Sequence, residues 1–301
     1  MSNYNDLNLN YIAGEWRDGT SNHDIVTSNP FTGEAIATFK AASLDDLNKA
    51  YVELEKAQQD WSATNPYAMS HIIEQAAQVI INRRDELIDM LVREAGSTVI
   101  KASIEVDACV GAIKVAAEYP FLLETTVTRS AIPDKMNHII RKPVGVVTVI
   151  GPFNFPLFLA MRSVVTALAS GNAVLLKPAS NTPITGGVLL AKIFEEAGLP
   201  AGVLSVVVPK TSEIGDELYT HPIPRVISFT GSTEVGQRIG EKAGGAIKRC
   251  ILELGGNNAF VVLEDADVDY AACSAVFGRF LHSGQICMSA NRIIVHESIF
   301  D

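Results

Sequence analysis

A chain of 301 residues, 48% hydrophobic and 19% charged, can bury a large core and lies near the size at which single cores divide into domains. A formal net charge of −10 excludes a surface built for nucleic acid and reads as solubilising. Cys109, Cys250, Cys273 and Cys287 show no CxxC spacing, the first ten residues lack a basic start or apolar stretch, and no apolar run is long enough to span a membrane; a cytoplasmic protein in a reducing compartment is expected.

Residues 1–40 read as strands and turns, with a turn signal at Asn29-Pro30-Phe31-Thr32-Gly33. Residues 43–123 read as helices, opened by Ser43 with Asp46 three residues on and broken at Asn65-Pro66 and Gly96. Residues 124–142 form a hairpin arm around Pro133-Asp134, expected to pack on another surface because an isolated hairpin is marginal in water. From Gly145 strands and helices alternate: strands at 146–150, 173–176, 204–208, 226–229 and 250–252, helices at 157–170, 183–197, 213–220 and 233–243. The strands are continuous apolar runs, as in a parallel sheet covered on both faces, so the fold class is α/β, a doubly wound, mostly parallel Rossmann-like sheet. A second α/β unit begins near Gly255, with strands at 259–263 and 292–296 flanking a helix at 268–281, and the chain stops at Asp301. The expected domains are 1–123 with 143–253, the arm 124–142, and an incomplete unit 254–301.

Ligands in doubly wound sheets sit beyond the carboxyl ends of the strands, and Asn154, Lys177, Gly231 and Glu253 all fall just after predicted strands. Glu253-Leu254-Gly255-Gly256 and Gly284-Gln285-Ile286-Cys287 place a carboxylate and a thiol among glycines, which allow backbone and substrate to approach closely. A thiol that attacks a carbonyl and a carboxylate that activates water form a workable pair. Cys109, Cys273 and Cys250 lie in helical or strand text and read as core, whereas Cys287 lies among polar loop residues. The segment Gly231-Ser232-Thr233-Glu234-Val235-Gly236 is not a phosphate loop, because Gln237 and Arg238 stand where Lys and Ser/Thr are required. It can still set an anion at a helix N-terminus, or be a plain structural turn. Asn154 is either a turn residue or an oxyanion donor, and Lys177 either a surface lysine or a ligand group at the sheet edge. His282, five residues before Cys287, has no other support as a catalytic partner, and the six histidines show no metal spacing.

Together with Gly151-Pro152-Phe153-Asn154-Phe155-Pro156 and Phe229-Thr230-Gly231-Ser232-Thr233-Glu234-Val235-Gly236, these pieces resemble the NAD(P)-dependent aldehyde dehydrogenase superfamily. The resemblance implies Cys287 as nucleophile, Glu253 as general base and Asn154 as oxyanion donor. It implies a nicotinamide dinucleotide held around Ile150, Pro152, Phe153, Lys177, Ser180, Phe229, Gly231, Ser232, Val235, Gly236 and Leu254. Ser180 stands where the family often has a glutamate that repels a 2′-phosphate, so NAD is expected and NADP is allowed. Glu253 argues against the CoA-acylating relatives, and the text around Phe158 to Arg162 and Gly278 to Met288 resembles the benzaldehyde and vanillin dehydrogenase branch. The arm implies a homo-oligomer, a dimer or tetramer. The family continues well beyond residue 301, so a C-terminally shortened chain is expected. Two other classes fit parts of the text: a cysteine hydrolase needing no nicotinamide, and a nucleotide-binding fragment without turnover.

Overall fold

The computed structural model describes residues 4–123 and 125–300. Met1 to Asn3, Glu124 at the head of the expected arm, and Asp301 lie outside the described residues. Four short strands open the chain, β1 (Asn10–Ile12), β2 (Glu15–Arg17), β3 (Asp24–Ser28) and β4 (Ala35–Lys40). The β3–β4 turn is built as expected, with Asn29 Oδ1 accepting from the N–H groups of Phe31 and Thr32.

Helices α1 (Leu44–Ser62), α2 (Pro66–Asn82), α3 (Arg84–Ala95), α4 (Val99–Ala116) and α5 (Tyr119–Leu122) follow. Ser43 and Asp46 form a full capping box, and the Asn65 side chain accepts from the Tyr67 N–H where α2 begins. Gly96 ends α3 at φ 63°, a left-handed position that suits glycine. The break between α2 and α3 falls at Arg83, which has no turn chemistry but carries ion pairs to Glu86 and Glu196. The arm strands β5 (Thr126–Arg129) and β6 (Met136–Ile139) pair antiparallel, and all their residues are exposed, so the expected packing surface is not among the described residues.

The alternating region gives β7 (Val146–Ile150), α6 (Pro156–Ala169), β8 (Ala173–Lys177), α7 (Leu189–Glu196) and β9 (Leu204–Val206). It continues with α8 (Thr211–Ile214), α9 (Glu217–Thr220), β10 (Val226–Thr230), α10 (Thr233–Gly245) and β11 (Arg249–Glu253). The single helix expected over 213–220 is two, split at Gly215 with φ 53°. The helix expected from residue 183 opens as a wide π turn, Ile184–Val188, before α7. Lys177 and Glu253 are the last residues of their strands rather than the first after them.

The seven-stranded sheet runs β11-β10-β7-β8-β9-β1-β2, parallel from β11 to β9 and closed at the far edge by antiparallel β1 and β2. Tyr51 on α1 bonds to Thr148 on β7, while Ser163 on α6 bonds to Ser228, the register partner of Val149. Successive residues point to opposite faces, so α1 and α6 cover opposite sides of the sheet, as a doubly wound fold requires. Strand order reverses between β7 and β10, and the loops after these two strands therefore flank a crevice at the carboxyl edge. β11 is an edge strand with alternating exposure, which leaves Cys250 half-buried rather than in the core.

Beyond it, β12 (Asn258–Val262) and β13 (Ala290–Val295) pair parallel across α11 (Val268–Phe280) in a separate two-stranded sheet. Only Ala275 of α11 is buried, so Cys273, read as core from its helical context, is exposed. Val261 is 59% exposed, whereas Val262 is buried.

The π turn has a cause 90 residues upstream. Buried Glu94 accepts from the N–H groups of Ile184 and Thr185 and from the Thr185 and Thr27 hydroxyls. Burial raises its carboxyl pKa, and these four donors oppose the shift. Glu94→Ala is expected to cost about 3 kcal/mol or more, because buried donors lose their acceptor, and Glu94→Gln about half that. Urea unfolding midpoints at neutral pH measure both, and equal midpoints for wild type and Glu94→Ala would contradict the assignment.

Candidate active site

The carboxyl ends of four strands stand side by side. Ile150 is in register with both Lys177 and Phe229, and Thr230 with Glu253. Two backbone bonds extend this edge into the loops, from Gly151 N–H to Lys177 O at 2.9 Å and from Gly231 N–H to Glu253 O at 3.0 Å. Ile150, Pro152 and Phe229 are buried, while Phe153, Ser180, Ser232 and Val235 are exposed along the crevice. Leu254 lies over Gly236, where an added Cβ would come within 2.3 Å of its side chain.

The loop after β7 reaches the thiol loop. Asn154 Nδ2 donates to Gln285 O at 2.7 Å across 131 residues of sequence, and Asn154 Oδ1 accepts from the Phe155 N–H. One Nδ2 hydrogen is thereby used and the second remains. The thiol loop turns through Ser283 at φ 52° and Gly284 at φ 77°. Asn258 Nδ2 holds Cys287 O at 2.7 Å, and a Cβ on Gly256 would sit 3.1 Å from that oxygen. Cys287 is exposed, and its backbone N–H has no partner among the described residues.

The Glu253 side chain is 56% exposed, with Oε1 3.8 Å from Arg162 Nη2 on α6. No contact brings Glu253 to Cys287 directly; both are tied to the same crevice, one through β11 and the other through Asn154 and Asn258. His282 makes no bond to Cys287. It is buried, edge-on to Phe155 with ring centroids 6.2 Å apart, and burial followed by the Lys101 charge pulls its pKa down to about 4. A Cys–His hydrolase pair is therefore not formed.

Lys177 is buried, not solvated. Its Nζ has no hydrogen-bonding or ionic partner among the described residues, and burial pulls its pKa from 10.5 to about 8. The helices following the central strands also differ at their N-termini. Glu105 accepts from the Leu157 and Phe158 N–H groups of α6, and Glu94 closes the segment leading into α7. At α10 the Ser232 hydroxyl takes only the Val235 N–H, which leaves those of Thr233 and Glu234 without partners among the described residues. Sequence reasoning missed Glu94, Glu105, Asn258 and the Arg162 contact. A Lys and a Glu four residues apart in one helical segment, Lys101 and Glu105, was the one signal available.

Residues 16–301 match the aldehyde dehydrogenase family, and the chain belongs to that family. It is 49% identical to a benzaldehyde dehydrogenase of Bacillus subtilis over 301 residues, all of this chain and 62% of the relative. It is also 49% identical to a vanillin dehydrogenase of Corynebacterium glutamicum over 298 residues, 98% of this chain and 62% of the relative. The crystal structure of an NAD-dependent benzaldehyde dehydrogenase from Corynebacterium glutamicum superposes with a TM-score of 0.94 at 48% identity, covering 99% of this chain and 66% of that one. The chain thus spans 62% of the length of these two curated relatives.

Unfolded, Lys177 keeps its proton up to about pH 10.5, whereas folded it releases it above about 8. Below pH 8 the fold carries a buried ammonium, and between 8 and 10.5 the unfolded chain binds the extra proton, so stability rises with pH across that window. Lys177→Met is expected to stabilise the unliganded protein at pH 7 by on the order of 3 kcal/mol, a gain that shrinks as pH rises through this window. Denaturation midpoints at pH 7 and pH 10 test this, and a pH-independent difference would remove the buried charge as its cause.

Proposed function

We propose that the protein oxidises an aldehyde to the carboxylic acid with NAD, NADP also being usable, through a thioester on Cys287. The observation that carries this reading is the bond from Asn154 to Gln285 O, which sets an amide donor beside the thiol loop at the sheet's ligand edge. An aromatic substrate is favoured by the benzaldehyde and vanillin dehydrogenases among the relatives. The residues fit a dinucleotide. The N–H groups at the start of α10 and buried Lys177, all without partners among the described residues, suit its pyrophosphate and ribose hydroxyls, and Val235 and Leu254 offer apolar surface. Exposed Ser180 adds no negative charge against a 2′-phosphate. Bound there, the nicotinamide supplies a hydride acceptor.

Cys287 Sγ attacks the carbonyl carbon as thiolate and forms a hemithioacetal. The free hydrogen of Asn154 Nδ2 and the backbone N–H of Cys287 donate to the developing oxyanion, each worth about 3 kcal/mol in such a site. Loss of the aldehyde hydrogen as hydride leaves a thioester on Cys287. Glu253, open to solvent, takes a proton from the water that attacks this thioester, and collapse releases the acid and the Cys287 thiolate.

In this reading residues 4–123 with 143–253 form the dinucleotide unit and 254–300 carry the thiol. The exposed β5–β6 hairpin pairs with further copies of the chain in a homo-oligomer. Four unpaired cysteines fit a reducing, cytoplasmic setting. With benzaldehyde and NAD, Cys287→Ala is expected to lower NADH formation by about a thousandfold or more while changing NAD affinity less than about threefold. Retained turnover in Cys287→Ala, or loss in Cys250→Ala instead, would overturn the assignment, and ester hydrolysis without NAD would favour a hydrolase.

A further inference from the structure

Beneath the thiol loop lies a buried polar spine that the mechanism does not use. Lys101 and Glu105 form an ion pair one turn apart on α4, both fully buried, with Lys101 Nζ also donating to Ser97 Oγ. Glu105 Oε1 accepts from the N–H groups of Leu157 and Phe158 at 2.9 and 3.1 Å, the first free donors of α6 because Pro156 has none. Lys101 Nζ stands 4.2 Å from the centroid of the Phe155 ring, and the far side of the contact chain is His282, edge-on to that ring. Phe155 is the neighbour of Asn154, and His282 opens the turn that leads to Cys287.

We infer that the Lys101–Glu105 pair positions the Cys287 loop. Glu105 pins the start of α6 and so the backbone of Asn154 and Phe155. Lys101 holds the Phe155 ring by a cation–π contact, and Phe155 in turn supports His282. From the α6 side the loop is then held at two points, at Gln285 through Asn154 and at His282 through Phe155, in addition to the bond from Asn258 to Cys287 O. A carboxylate can take two backbone N–H groups and an ammonium together. A glutamine cannot, because its single carbonyl oxygen would have to serve both while its NH2 faces the ammonium. Burial disfavours each charge, lowering Lys101 and raising Glu105, while each partner opposes the other's shift. A pair kept at this cost is weak evidence for stability and is better explained by what it orients. The meaning of that orientation for catalysis rests on the reading of Cys287 as nucleophile, but the positioning itself does not.

Amide hydrogen exchange on the unliganded protein tests it without substrate or cofactor, and so independently of whether the chain oxidises aldehydes. The probes are the N–H groups of Ser283, Gln285 and Ser289, each donating to the carbonyl three residues before it, against those of β7 and β8 in the sheet. Glu105→Gln and Phe155→Leu are each expected to accelerate exchange at the three loop amides about tenfold or more, with the sheet amides within about twofold of wild type. Lys101→Arg, which keeps the charge over the ring, is expected to retain most of the protection. Should Glu105→Gln fail to fold, Phe155→Leu decides, since it leaves the ion pair and the cap on α6 in place. Loop exchange unchanged in Phe155→Leu, or loop and sheet amides accelerating by one common factor, would overturn the inference.

Discussion

Two carboxylates buried in the helical layer close the N-termini of the segments that follow the central strands. Glu105 closes α6 and Glu94 closes the π turn before α7. Each is costly to bury, and each is compensated by donors that would otherwise be unsatisfied in the interior. The consequence reaches the ligand edge. With these helix starts already satisfied, the start of α10 presents N–H groups without partners among the described residues at the crevice where strand order reverses. The constraint thus shapes both the scaffold and the place left open for an anion.

The candidate site depends on joining segments far apart in the chain. The β7 loop, the end of β11 and the loop before β13 come to one edge because β7 and β10 flank the reversal in strand order, and β11 extends the sheet by one. Side-chain amides then make the connections: Asn154 to Gln285 O and Asn258 to Cys287 O. An amide suits this work, since it donates to a carbonyl without adding a charge beside the thiol. The glycines act by absence, Gly256 by letting Cys287 O approach and Gly236 by accepting Leu254 against α10.

Much of the scaffold was legible because local rules and global packing agree. β7, β8 and β10 read as buried strands because both sheet faces are covered, and Ser43 with Asp46, Asn65-Pro66 and Gly96 marked helix ends by their own chemistry. What escaped was set at a distance. The π turn at 184–188 is held by Glu94, and the break at Arg83 carries an ion pair to Glu196. The exposure of Cys273 could not be read, because helical text does not say which faces a neighbour will cover. At the site, spacing alone left Cys287, Asn154 and Lys177 each with a structural alternative. Family resemblance implied a role for each, and the structure supplied the burial of Lys177 and the contact of Asn154 with the thiol loop.

The central claim is a covalent acyl group on Cys287 that Glu253 helps water to remove. Peptide-resolved mass spectrometry of Glu253→Gln after mixing with benzaldehyde and NAD tests it most directly. The account predicts a benzoyl mass on the peptide containing Cys287, persisting longer than in wild type and absent without NAD. An unmodified Cys287 in protein that is still forming NADH, or acyl mass on Cys250 or Cys273 instead, would contradict it.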